Sequence, residues 1–157
     1  MDLLSRLVAK AQAADKTVVL PEGQDARVLT AARRIAERNI ARVIVLANEE
    51  EVANANVPGF DEHEGVTVVD HRSSPQADDL AARLHELRKH KGMTREEARE
   101  AVNDRLYFGN LLVREGGADG LVAGSIASTP DMLRAAFRCV GTASGMKIAS
   151  SSFVMGL

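Results

Sequence analysis

The residues with the clearest chemical potential lie between Ala118 and Arg138, in the run ADGLVAGSIASTPDMLRAAFR. Gly124, Ser125, Ser128 and Thr129 are small or hydroxylic, and Arg134 follows shortly after them. This set suits an anion: hydroxyls donate hydrogen bonds, glycine lets backbone come close, and a guanidinium grips phosphate oxygens as a two-pronged fork. Gly120-Leu121-Val122-Ala123 reads as a short buried strand, with Thr129 as the cap and Pro130 as the first residue of the next helix. A strand, a loop and a helix start in that order aim free backbone N–H groups and the positive end of the helix dipole at one point, an anion cradle. Plain helix capping uses the same pattern, and Asp131 in the first turn would compete with a bound anion. Neither G-x-x-x-x-G-K-[ST] nor G-x-G-x-x-G occurs, so the familiar nucleotide-phosphate loops are absent.

A second cation stands out at the end of the helix expected over Pro75–His90. At 100° per residue, Ala77, Leu80, Ala81, Leu84 and Leu87 form one apolar stripe, and Arg88 falls within it. Arg88 either caps the negative helix end with its stem over the core, or faces a cleft and an anionic ligand. Lys89, His90 and Lys91 make that corner basic, while His90 itself falls on the polar side. The expectation is that Arg88 and Arg134 converge on one pocket beside Gly124. Cys139 is expected mid-helix and buried, hence no nucleophile, and no residue stands out as a general base.

Positioning these groups falls to alternating strands and helices. Leu3, Leu4, Leu7 and Val8 repeat at helical spacing and make the first dozen residues an amphipathic surface helix. Thr17–Leu20, Arg42–Leu46 and Val66–Val69 are β-type runs, with a helix from Asp25 to about Arg38 and a short one beginning at Asn48. Helices then follow from about Pro75 to Glu115, with Thr94 and Glu97 as a capping box, Asp104 as a further cap and Gly116-Gly117 as the stop. Lys147–Met155 reads as a last strand. The alternation predicts an α/β fold with a mainly parallel sheet covered on both faces.

Composition narrows the rest. At 157 residues the chain is one domain in size. Aromatic residues make up only 3% and there is no Trp, so no stacking platform for single-stranded nucleic acid is expected. A net charge of -2 argues against nucleic acid or an anionic membrane as partner. One cysteine excludes an internal disulfide, and four histidines without H-x-x-x-H spacing give no indication of a metal. No apolar run approaches membrane-spanning length and no signal peptide is evident, so the expected place is the cytoplasm.

In four ordered blocks the chain resembles the phosphate acetyltransferase (phosphotransacetylase) family, in its N-terminal half. These are Leu20-Pro21-Glu22 with Asp25, Arg27 and Ala31-Ala32; Leu87-Arg88-Lys89-His90-Lys91-Gly92-Met93-Thr94 with Glu96-Glu97-Ala98; Tyr107-Phe108-Gly109 leading to Gly117–Gly124; and Ser128-Thr129, Leu133-Arg134 and Ser151–Met155. The resemblance implies reversible transfer of an acetyl group between coenzyme A and inorganic phosphate, with coenzyme A as substrate and no separate cofactor. It implies a three-layer αβα fold like that of isocitrate and isopropylmalate dehydrogenases: residues 1–148 as the N-terminal α/β domain, 149–157 as the start of an interrupted second domain. Arg88 and Arg134 are then expected to bind coenzyme A or the acyl phosphate, with Gly124, Ser125, Ser128 and Thr129 lining the substrate site. The family's Ser-Arg pair and Asp, which orient and deprotonate the thiol, belong to a second half not matched here. The chain alone is therefore expected to turn over little, with the C-terminal half and a homodimer mate as protein partners. Ala127 departs from the His often found at that place. The alternative is a non-catalytic acetyl-coenzyme A-sensing or assembly module, related to the domain fused to malic enzymes, although Met1 at the domain start speaks against a fusion.

Overall fold

Runs of valine, isoleucine and leucine become strands because branched side chains pack well on a pleated surface. In the computed structural model, which describes residues 2–60, 63–146 and 148–151, they are β1 (Thr17–Leu20), β2 (Arg42–Leu46), β3 (Val66–Val69) and β4 (Gly120–Leu121). All are parallel, in the order β3-β2-β1-β4, with Val18 opposite both Val43 and Gly120 and Val43 opposite Val66. The helices are α1 (Leu3–Ala14), α2 (Ala26–Glu37), α3 (Glu49–Ala55), α4 (Ala77–Arg88), α5 (Arg95–Val102), α6 (Arg105–Arg114) and α7 (Thr129–Cys139), with a 3₁₀ turn at Lys89–Lys91.

Alternation along the strands divides the apolar residues between two cores. Val19 and Leu46 join the core built with α4, α5, α6 and α7, centred on Phe108, Leu84 and Leu111. Leu20, Val43 and Val45 face the other way, against Leu29 and Ala32 of α2 and against Phe60. This is the three-layer αβα arrangement. Helix α6 lies so close to the sheet that a Cβ on Gly109 would stand 2.7 Å from Leu121 Cδ1 and 3.2 Å from Val19 Cγ1.

Local signals hold where they rest on local hydrogen bonds. Asn48, Thr94 and Asp104 cap their helices, Thr94 and Glu97 as a reciprocal box. Three expectations need correction. Strand β4 ends at Leu121, and Val122 is 63% exposed, because the chain leaves the sheet at its edge there. Ser128, not Thr129, caps α7, which moves Thr129 to the first helical position. The strand expected over Lys147–Met155 is absent from residues 148–151; Lys147 and Ser152–Met155 lie outside the described residues, as does most of the proposed 149–157 segment. The surface helix expected at the start of the chain is α1, which forms under an Asp2 cap and buries none of its residues, leaving Leu4 69% exposed.

Candidate functional site

The sheet order creates a crevice. From β1 the chain builds outward through β2 and β3, then returns to place β4 on the other side of β1. The helices after β1 and β4 pack on opposite faces, since α2 belongs to one core and Cys139 of α7 to the other. Their connecting loops therefore part above the carboxyl ends of β1 and β4, the switch point where open α/β sheets bind ligands.

Two loops meet there: Pro21–Asp25 after β1, and Val122–Ser128 after β4. The cradle expected at Gly124–Thr129 is built, and it already holds an anion from the chain itself. Glu22 Oε2 accepts the N–H groups of Gly124 and Ser125, both at 2.8 Å. Oε1 accepts those of Ile126 at 2.8 Å and Ala127 at 2.6 Å. Gly124 makes the curl possible at φ +113°, a conformation that a side chain strains. Burial raises the Glu22 pKa, and the four N–H donors more than offset it, so the carboxyl titrates below the ordinary glutamate value. The loop amides expected to be free for a ligand are thus taken.

Beside it, Asp25 accepts the Ser125 hydroxyl and the Arg27 guanidinium, the latter at 2.6 Å, and also caps α2 through the Arg27 N–H at 2.8 Å. The Arg27 hydrogen bond, followed by that of Ser125, holds the Asp25 carboxyl far below the usual range. Arg27 Nη2 also donates to the Ser125 carbonyl at 3.2 Å. Ser125 is therefore committed to this network. Ser128 caps α7 and donates its hydroxyl to Asp131 Oδ2 at 2.6 Å, while Arg134 Nη1 reaches back to Asp131 Oδ1 at 2.7 Å. The competitor anticipated at Asp131 is engaged, but by the very arginine expected to bind the ligand.

Arg88 lies elsewhere. It ends α4, half-buried, in an open cavity of about 350 Å³ that also receives Lys91, Glu97 and Arg138. Helix α4 packs against α7, and the arginine of α7 that lines this cavity with Arg88 is Arg138, one turn beyond Arg134. Arg134 itself is turned toward the amino end of α7 by its ion pair with Asp131. Arg138 is steadied by a 3.0 Å hydrogen bond to the Tyr107 hydroxyl.

The family follows from comparison with known proteins. Residues 2–157 match the family model described as phosphate acetyl/butaryl transferase. The chain belongs to that family. It is 44% identical to a phosphate acetyltransferase of Acetivibrio thermocellus, over 99% of this chain and 46% of that protein. A phosphate acetyltransferase of Thermoanaerobacterium thermosaccharolyticum is 43% identical, over 99% and 47% respectively. Among solved structures, a phosphotransacetylase from Streptococcus pyogenes superposes with TM-score 0.84 at 34% identity, over 94% of this chain and 46% of that one. EutD phosphotransacetylase from Staphylococcus aureus gives 0.80 at 35%, over 93% and 44%. The chain spans about half the length of the curated relatives it matches.

Sequence reading places Glu22, Asp25 and Arg27 in one block of the family resemblance, with Asp25 at the start of a helix, and gives none of them a role at the site. The available signal was their place just past a strand's carboxyl end. Arg105 gave no signal. It donates to Glu51 Oε1 at 2.8 Å, to the Leu46 carbonyl at 3.4 Å and to Gln24 Oε1, tying the end of β2 and α3 to the β1–α2 turn. Cys139 is buried as expected, although it closes α7 rather than lying mid-helix. Burial pushes its thiol up to about 12, which leaves negligible thiolate at neutral pH. No helix among the described residues is long and apolar enough to cross a membrane.

Proposed function

We propose that this chain is the N-terminal half of a phosphate acetyltransferase acting in the cytoplasm, with acetyl-coenzyme A and phosphate exchanged for coenzyme A and acetyl phosphate. The observation that carries the reading is the 44% identity, along 99% of this chain, to a protein of that name. The switch-point crevice supports it, as do cations on α4 and α7, which both pack against α6.

Arg88, Arg134, Ser125, Ser128, Thr129 and Gly124 form the substrate side of this proposal. With the loop amides committed to Glu22 and the Ser128 hydroxyl donated to Asp131, the donors that an acyl phosphate or a coenzyme A phosphate would meet are side chains: guanidinium groups and the Thr129 hydroxyl, with Ser128 able to turn from Asp131 to the substrate. Arg134 exchanges Asp131 for substrate at little cost, since both partners are 53% exposed and such pairs are weak. As the coenzyme A thiolate attacks the acetyl carbon of acetyl phosphate and phosphate leaves, or in the other direction as phosphate attacks the thioester and the thiolate leaves, charge builds on the carbonyl oxygen, and a guanidinium is suited to stabilise it. The base that takes the thiol proton comes from the C-terminal half, the first protein partner, and a second copy completes a homodimer. Coenzyme A enters as substrate, with no further cofactor.

The test is acetyl phosphate formation from acetyl-coenzyme A and phosphate, with the C-terminal half supplied in trans. Activity that disappears in the Arg88→Ala, Arg134→Ala double variant supports the reading, and full activity in that variant overturns it. Coenzyme A binding without turnover in the reconstituted protein would favour the sensing module instead.

A further inference from the structure

Four consecutive backbone N–H groups pointing at one site would ordinarily describe a place for a ligand's phosphate. Here they converge on Glu22, which is 3% exposed. We propose that Glu22 is a positioning residue: its carboxylate takes the place of a ligand anion and sets the shape of the loop that presents Ser128 and Arg134. The proposal rests on the acyl-transfer reading above.

The geometry leaves little slack. Each carboxylate oxygen serves two adjacent amides, so the loop must curl around the side chain, at the φ +113° of Gly124. Asp25 and Arg27, from the same β1–α2 turn, hold the hydroxyl and carbonyl of Ser125. The loop then passes directly to Ser128, whose cap starts α7, and through Asp131 to Arg134. Strand β4 is paired with β1 for only two residues, so this clamp adds to the packing of α7 on α6 and α4 in locating the start of α7. Because a buried, paired carboxylate is costly to expel, a substrate anion is held by side chains around the loop and not by its amides.

Glu22→Gln keeps the size but replaces one acceptor oxygen with an N–H₂ donor, which faces two amide donors. Asp119 provides the control. Its carboxylate also ties the β4 region to β1, accepting the Thr17 N–H at 2.9 Å and Lys16 at 2.8 Å, but before the strands rather than after them. The experiment titrates the whole chain with coenzyme A, following amide NMR shifts, and measures hydrogen exchange at Gly124–Ala127. The expected result for Glu22→Gln is about tenfold weaker binding and lost protection at those amides, with Asp119→Asn within about twofold of wild type. Glu22→Asp keeps the charge one methylene short; it is expected to fall between, and it decides the matter if Glu22→Gln does not fold. Unchanged affinity in the Glu22 variants, or an equal loss in Asp119→Asn, overturns the assignment. If the wild-type chain shows no shifts with coenzyme A, the substrate reading itself fails, and with it this role for Glu22.

Discussion

Arg134 Nη1 lies 2.7 Å from Asp131 Oδ1, three residues earlier on the same helix. The guanidinium with the best claim on an anionic substrate therefore rests against a carboxylate that mimics one. Asp131 also accepts the Ser128 hydroxyl, so cap, acid and arginine form one chain at the start of α7.

Removing that internal competitor should favour the ligand. Asp131→Asn is expected to tighten coenzyme A binding by about threefold, and by more at low salt, because the interactions involved are exposed and screened. Calorimetry at two ionic strengths checks this. Weaker binding at both would mean that Asp131 orients Arg134 rather than restraining it.

Acid should loosen the β1–β4 crevice. The folded-state pKa values of Glu22 and Asp25 are depressed below those of ordinary glutamate and aspartate side chains, Glu22 by the four loop N–H groups and Asp25 by Arg27 and Ser125. Their stabilisation is therefore complete above those values and is lost as pH falls through the lower folded ones. Calorimetric unfolding across the acid range should show Tm falling below about pH 4.5. Glu22→Gln should start lower at neutral pH and decline less steeply, and a parallel decline would remove Glu22 from the explanation.

The buried His71 acts at higher pH. It is 3% exposed, with Nε2 2.9 Å from the Asn103 carbonyl, and burial, then the charge of Arg105, lowers its pKa. The unfolded chain thus takes up this proton first, and stability should begin to fall as pH drops through about 6.5. In His71→Gln that upper part of the pH dependence should be missing from the unfolding curves.

Close approach at two glycines should differ in cost. A Cβ at Gly23 would meet Val45 Cγ1, Ala47 Cβ and the Leu46 carbonyl at 2.6–2.7 Å, whereas at Gly109 the nearest atom is the tip of Leu121. Overpacking costs about 1–3 kcal/mol where side chains can shift, so Gly109→Ala should fall in that range and Gly23→Ala above it. Urea midpoints decide the order.

Cys139 should be inert. With its thiol pushed up to about 12 and its side chain buried, alkylation of the native protein at pH 8 should be slow until denaturant is added. Rapid labelling of the folded chain would contradict the packing of α7.

The sequence by itself determined the elements and most of their ends. The strands at Thr17, Arg42 and Val66, the Thr94–Glu97 box and the Asp25 and Asp104 caps all depend on residues within a few positions of one another, so composition and spacing reveal them. Local spacing also located the loop that would hold an anion. Tertiary structure alone decided which anion sits there, because Glu22 is 102 residues from Gly124 and reaches it only when β4 lies beside β1. Likewise, helix periodicity placed Arg88 on a packing face, but its neighbour is Arg138 because the docking of α4 on α7 sets which turn it meets. Hydrogen bonds between neighbours in sequence are governed by backbone geometry, while partners across the sheet follow from strand order, which one strand's residues do not encode.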